Sequence, residues 1–447
     1  MRGDRPLKRS MSGEEMEFFI LNHKGEMVND ASKLIHIAKK RFSGFKVYPE
    51  AGQSIVEISS FPSVSVLDTF ADLLEKVKKL IQAADKHEYL LYPNATYPGY
   101  ARTEITRKRR YLEQEMLFGR KHAIQATLVT GFHYHYTLPR GVFDKRTEFL
   151  KPSGKSKLSW ALINSYNMAI AIDPALTTLM QSSPFVQGKY LAKDSRMLIY
   201  RGGNKLGCDY GKYAQHQLLG GLQPYSHTTN DLISTLKKKH SLWKEMRARK
   251  GLSKKTNRKE NILEFSWNPV RINKLGTLEQ RGMDMNHPKR AMAISSLLKF
   301  LFRKLQREFY KAEPSDIGIK EPFKMEGDTI YIPPNTYVRD FLQRESAYKG
   351  FESREIDKYV SRFYRLARQL ADRNYRPVLQ PLQKMINEKE TVSDMIIKRI
   401  RKMGYGKEIP NDAAAESALK SCEYLLNEVD NTEEKLYKAY GLAEEKF

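Results

Sequence analysis

Two short runs with the composition of β-strands carry acids where a strand buries its side chains: Gly13-Glu14-Glu15-Met16-Glu17-Phe18-Phe19-Ile20-Leu21 and Gln53-Ser54-Ile55-Val56-Glu57-Ile58. Strand side chains alternate between faces, so Glu15, Glu17 and Phe19 share one face and Met16, Phe18 and Ile20 the other. Two carboxylates one pleat repeat apart repel each other inside a fold unless a cation or an arginine neutralises them. The chain must either leave this face to water, as an edge strand, or build a divalent-metal site on it. These residues alone leave both open.

Periodicity places the rest. Residues 14–22 and 53–60 read as strands, and 64–85 as an amphipathic helix with apolar residues three and four apart. The β-branched and aromatic run over 124–138 predicts a strand that sends His133 and His135 to one face, where two imidazoles converge on a metal or phosphate, or are satisfied by neighbouring acids. A helix is expected over 158–180, and strands over 196–201 and within 262–284. In Leu275–Asp284, alternation groups Thr277, Glu279 and Arg281, a pattern that suits metal and phosphate together or a cross-strand ion pair. Gln181–Lys189, followed by Asp194-Ser195-Arg196, reads as a shaped loop that presents Arg196 to an anion. Helical spacing dominates from Lys289, with helices over 289–301, 354–372, 376–389, 391–403, 412–428 and 432–444. The division expected is a basic tail 1–12, a catalytic domain 13–310 and a helical region 311–447, with no internal repeat.

The 447 residues carry a formal charge of +25, and eleven Lys or Arg fall between Lys237 and Lys259. Such a field favours ATP, nucleic acid, acidic carriers or anionic lipid, and serves equally as solubilising surface. Cys208 and Cys422 are too few and too far apart for a zinc framework, and they argue against a disulfide scaffold. The first twelve residues lack the apolar segment of a secretory signal, and the most apolar stretch, Ala161–Leu179, is broken by Asp173-Pro174. A soluble, cytoplasmic protein is expected. No RRM, KH, zinc-finger or helix-turn-helix signature is present.

The order of the pieces is more specific than any one of them. Gly-x-Glu-x-Glu-Phe at 13–18, the Gln53–Ile58 strand, Thr96-Tyr97-Pro98 ahead of Arg110-Tyr111, Gly131-Phe-His133-Tyr-His135, Ser182-Ser183-Pro184-Phe185 with Ser195-Arg196, and Gly276-Thr-Leu-Glu279-Gln-Arg281 together resemble the carboxylate–amine ligases of the glutamate–cysteine ligase type, over about residues 13–300. The resemblance implies an α+β, glutamine-synthetase-like fold: a curved, mainly antiparallel sheet with flanking helices and a helical C-terminal region. It implies ATP and Mg2+ (or Mn2+) as cofactors, with amide formation through an acyl phosphate and glutamate as acyl donor to a small amine. It assigns Glu15, Glu17, Glu57 and Glu279 to metal, His133 and His135 to the metal- and nucleotide-facing strand, and Arg196 and Arg281 to anion binding and catalysis. Departures fall at Ala95-Thr96-Tyr97-Pro98, where the family has Gly-Thr-His-Pro; at Trp267-Asn268-Pro269-Val270-Arg271, where it has Asp-x-Arg-Pro; and after Phe185, where its Trp is missing. These positions are expected to read the substrate side chains. Two other readings stand beside this one: the same fold acting on a macromolecule such as tRNA or an acidic carrier docked on Lys237–Lys259, and a non-enzymatic nucleic-acid-binding protein. Oligomerisation is open.

Overall fold

A computed structural model describes residues 10–152, 156–252 and 261–444. Residues 1–9 of the expected tail and 253–259 of the basic segment lie outside the described residues. Seven strands form one antiparallel sheet: β1 (Ser12–Asn22), β2 (Val47–Pro49), β3 (Ile55–Ser59), β4 (Tyr89–Tyr92), β5 (Gly131–Thr137) and, after the hairpins β6 (Phe143–Asp144) with β7 (Phe149–Leu150) and β8 (Phe185–Val186) with β9 (Lys189–Tyr190), β10 (Val270–Asn273) and β11 (Thr277–Asp284). The order is β10-β11-β5-β1-β3-β2, with β4 paired to the far end of β1.

The expected parity of β1 holds. Met16, Phe18 and Ile20 enter the main core, where the helices Val66–Asp85, Lys157–Ala171 and Pro288–Arg307 cover the sheet, and Phe302 stacks on Tyr134 at 6.5 Å. The other face is divided along its length. Phe19 and Leu21 are sealed by Tyr92, Tyr97, Ala418 and Cys422, so only the half carrying Glu15 and Glu17 is left for chemistry. Both cysteines are free and buried. Among the described residues no helix is long and apolar enough to cross a membrane.

Several elements depart from the periodicity reading. Ile124–Thr127 is a 3-10 turn and the strand begins only at Gly131, because Thr127 closes the turn with its hydroxyl on the Ile124 carbonyl at 2.7 Å. The expected strand 196–201 is the helix Ser195–Tyr200. There Asp194 caps the Met197 amide at 2.7 Å, and the cap outweighs the β-prone composition of Met197-Leu-Ile-Tyr. The helix over 158–180 is two helices, Lys157–Ala171 and Asp173–Met180, since Pro174 lacks an amide hydrogen to continue the ladder. Residues 262–264 form a 3-10 turn ahead of β10. The helices expected over 412–428 and 432–444 are one, Asn411–Glu444; Asn431 and Thr432 bond back to the Asn427 and Glu428 carbonyls and do not break it. The helical region also holds a small sheet of β12 (Lys311–Pro314), β13 (Met325–Glu326) and β14 (Thr329–Ile332).

Candidate active site

Strand register turns separate acids into one array. Glu17 stands opposite Glu57, Glu15 opposite His133, and His135 opposite Glu279, which in turn faces Arg271 on β10. Side chains directly opposite on one face lie about 5 Å apart at Cβ, so the six expected residues run as a continuous diagonal across four strands. His133 Nδ1 donates to Glu15 at 2.8 Å, and His135 Nε2 lies 3.4 Å from the other Glu15 oxygen. Among the described residues three groups have ligand atoms within 4.8 Å of one another: Glu15, Glu57 and His133; Glu15, His135 and Glu279; and Glu17, Glu50 and Glu57. Among the described residues, buried Glu279 Oε1 and His135 Nε2 have no hydrogen-bond partner.

The charges are unequally compensated. Burial, and then the charges of Glu15, Glu50 and Glu17, push the Glu57 carboxyl well above the usual carboxylate range. Burial also raises Glu17, although His133 opposes it. Burial works against charge on Glu15 as well, but His135 and His133 outweigh it and hold that carboxyl well below its ordinary value. Glu279 is likewise held down by Arg271, His135 and Arg281 against its burial; Arg271 Nε donates to it at 2.5 Å. The Glu279 end of the diagonal is therefore neutralised by protein cations, whereas the Glu17–Glu57 end is short of positive charge. That is a charge deficit a hard divalent cation would fit, since such ions prefer carboxylate oxygens.

Arg196 faces the array from the helix Ser195–Tyr200. A bulge in β11 between Gln280 and Met283 offers it two successive carbonyls, Arg281 at 3.3 Å and Gly282 at 3.2 Å. Its guanidinium lies so close to β5 that a Cβ on Gly131 would sit 2.4 Å from Nη2. The loop behind is held from the C-terminal region: Ser393 Oγ accepts from the Ser183 amide at 3.1 Å and donates to the Lys193 carbonyl at 2.5 Å, while Ser183 Oγ accepts from the Arg196 amide at 3.2 Å. Ser182-Ser183-Pro184-Phe185 thus supports Arg196 from outside the cavity. Arg281 lines the cavity itself and lies 3.6 Å from Glu279.

A cavity of about 590 Å3 brings together Glu15, Glu17, Glu57, His133, Arg196 and Arg281. His135 and Glu279 are absent from its lining, as they lie buried beneath Glu15 and Arg271. Sequence reasoning missed Glu50, Lys212, Trp243 and Phe265; the Trp243 ring lies 5.1 Å from that of Phe265 and 5.2 Å from that of Trp267. Only the Arg110-Tyr111 pair pointed toward Glu50; both donate to it, at 3.2 and 2.9 Å. The departures divide. Tyr97 is buried with its hydroxyl on the Gly25 carbonyl and does not line the cavity, so the expectation that it reads substrate is corrected. Trp267 and Arg271 do line it. Within the basic segment, Lys239 and Arg247 are buried structural groups, with Lys239 donating to Asn268 at 2.6 Å and Arg247 pairing with Glu113 at 2.5 Å.

The sequence matches the model of glutamate-cysteine ligase family 2 over residues 11–417. It matches no curated protein. Among solved structures the fold is similar to that of the glutamate–cysteine ligase of Francisella tularensis in complex with AMP, at 11% identity and a TM-score of 0.57, over 98% of this chain and 94% of that one. It is also similar to the bifunctional glutathione synthetase of Pasteurella multocida, at 14% identity and a TM-score of 0.56, over 94% of this chain but only 52% of that one. The chain therefore spans about half the length of the bifunctional enzyme. The α+β fold with its mainly antiparallel sheet is the one expected from sequence, and fold and family are those of ATP-dependent carboxylate–amine ligases.

Proposed function

The chain belongs to glutamate-cysteine ligase family 2, and from that premise we propose that it joins a carboxylate to an amine at the expense of ATP, through an acyl phosphate, with glutamate as acyl donor. The observation that carries this reading is the diagonal of Glu57, Glu17, His133, Glu15, His135 and Glu279, with acids in excess at one end and Arg196 and Arg281 facing it. Glu15, Glu17 and Glu57 would hold Mg2+ or Mn2+, with Glu279 and His135 behind them. A divalent ion bound there supplies charge screening for attack of one anion on another. Arg196, fixed by two carbonyls, meets the negative charge spread over the transferring phosphoryl oxygens, and Arg281 shares it. Phe265 and Trp267, half-buried at the cavity wall over the buried Trp243, would offer a face for stacking by a purine. No protein nucleophile is needed.

The test is incubation with ATP, Mg2+, glutamate and pooled amines, following ADP, phosphate and product mass. Acid-dependent ADP release with an amide product is expected. AMP release would replace the acyl phosphate with an adenylate.

A second reading makes the acceptor part of an anionic macromolecule. Lys237, Lys238, Lys244 and Arg249 are exposed on the helix Thr229–Arg249, whose inner face contributes Trp243 to the cavity. Turnover that is insensitive to salt and to reversing these charges would remove it.

A further inference from the structure

An amine substrate reaches the cavity at neutral pH as an ammonium, with no lone pair, and must lose a proton before it can attack a carbonyl. The carboxylates of the cavity are committed elsewhere. Glu15, Glu17 and Glu57 stand on the metal-facing diagonal, Glu50 accepts from Tyr111 and Arg110, Glu113 pairs with Arg247, and Glu264 pairs with Lys274 at 2.5 Å. His133 lies between Glu15 and Glu17.

Lys212 differs from all of these. It lines the cavity beside Arg196 and Tyr200, only 4% exposed, with its Nζ donating to Gln114 Oε1 at 2.7 Å and no ion-pair partner among the described residues. The amine lies beside the edge-to-face pair of Tyr200 and Tyr213, 5.7 and 5.3 Å from their ring centroids. The charged groups that face it are Glu50 at the end of β2, Arg110 on the helix Arg109–Phe118 and Arg281 on β11, and His122 contacts the neighbouring Gly211 carbonyl. Burial, helped by the two guanidiniums and opposed by Glu50, brings the Lys212 ammonium down to about 7.

Resting on the ligase reading above, we propose that Lys212 is the general base that deprotonates the incoming amine. Its Nζ lone pair takes a proton from the substrate ammonium. The freed nitrogen lone pair forms the C–N bond at the acyl carbon, the C–O bond to phosphate breaks with its electrons leaving on phosphate, and the second proton of the nitrogen passes to the departing phosphate to leave the neutral amide. The Lys212 ammonium then gives its proton to water.

The test compares two acceptors with ATP, Mg2+ and glutamate at neutral pH: hydroxylamine, whose nitrogen is largely unprotonated there, and a pool of amino acids and ammonium. Wild-type hydroxamate formation reports acid activation without a base, and its absence with glutamate and with every other acid in an amino-acid pool would remove the ligase reading itself. Lys212→Arg keeps the positive charge but cannot act as a base near pH 7. We expect it to make hydroxamate within about 3-fold of wild type while amide formation falls about 100-fold or more, with loss of the rise in wild-type amide rate around neutral pH. Three results overturn the assignment: wild-type amide rates in Lys212→Arg, equal loss of hydroxamate and amide, or a wild-type protein that makes hydroxamate but no amide with any amine.

Discussion

Replacing Gly131 by alanine perturbs the site through space alone. Gly131 does not sit at positive φ, so its backbone accepts a side chain, and its amide keeps the 2.7 Å bond to Glu17. The added Cβ would lie 2.4 Å from Arg196 Nη2, 3.1 Å from its Cζ and 3.2 Å from His133 Nε2. To reach ordinary contact the guanidinium must retreat by about 1 Å. Its bonds to the Arg281 and Gly282 carbonyls are already 3.3 and 3.2 Å long, so this retreat breaks both. Hydrogen bonds to a charged group contribute about 1.5–3 kcal/mol each, and a 1 Å misplacement of a reacting group costs about 10²-fold in rate. We expect kcat for acid-dependent ADP release to fall about 10²-fold with little change in KM for Mg-ATP, in a variant that still melts cooperatively. Because the loss acts through Arg196, adding Gly131→Ala to Arg196→Ala should cost nothing further. A folded Gly131→Ala protein with wild-type kcat, or full additivity in the double variant, refutes the reasoning.

Three further outcomes follow from the same geometry. Ser393→Ala, far from the cavity in sequence, removes the hydroxyl that bonds both the Ser183 amide and the Lys193 carbonyl, so denaturant unfolding should show a loss of about 1–3 kcal/mol accompanied by a lower kcat; a stability loss without any change in kcat would separate this loop from Arg196. Glu279→Gln leaves the cations of Arg271 and Arg281 without their buried anion, which is expected to abolish turnover and destabilise by about 3–5 kcal/mol, read by activity and unfolding together. For pH, Glu57 and Glu14 are raised in the folded protein, both chiefly by burial, Glu14 to about 7. The folded state then holds protons that the unfolded state releases, so their contribution is full below the ordinary value of 4.5 and declines as pH climbs through 7. Glu15 and Glu279 are lowered and act oppositely, losing their contribution only in acid. Between about pH 5 and 7, below the range where the lowered Lys212 and Lys239 add stability as pH rises, metal-free protein should therefore lose stability. Mg2+ should reverse the share due to Glu57 and Glu57→Gln should remove it, while the share due to Glu14, on the core face of β1 opposite Tyr134, stays; a metal-free stability that rises steadily over this range contradicts the charge assignment.

Parity and motif order are legible along the chain. Period-two alternation put Glu15 with Glu17, His133 with His135, and Glu279 with Arg281 on shared faces, because side-chain direction along a strand is a local property of the backbone. The order of these motifs was enough to point to the family. Local caps already escaped it: the Asp194 carboxylate turns a β-prone Met-Leu-Ile-Tyr into a helix, and Thr127 closes a turn inside the expected strand. Which strands are neighbours, and hence that Glu17 meets Glu57 and Glu15 meets His133, depends on the fold as a whole. So does the meeting of Glu50, Lys212 and Trp243 in one cavity, and the support that Ser393 gives Arg196 across about 200 residues of sequence. Those relations come from strand register and helix packing between distant segments, and no local pattern encodes them.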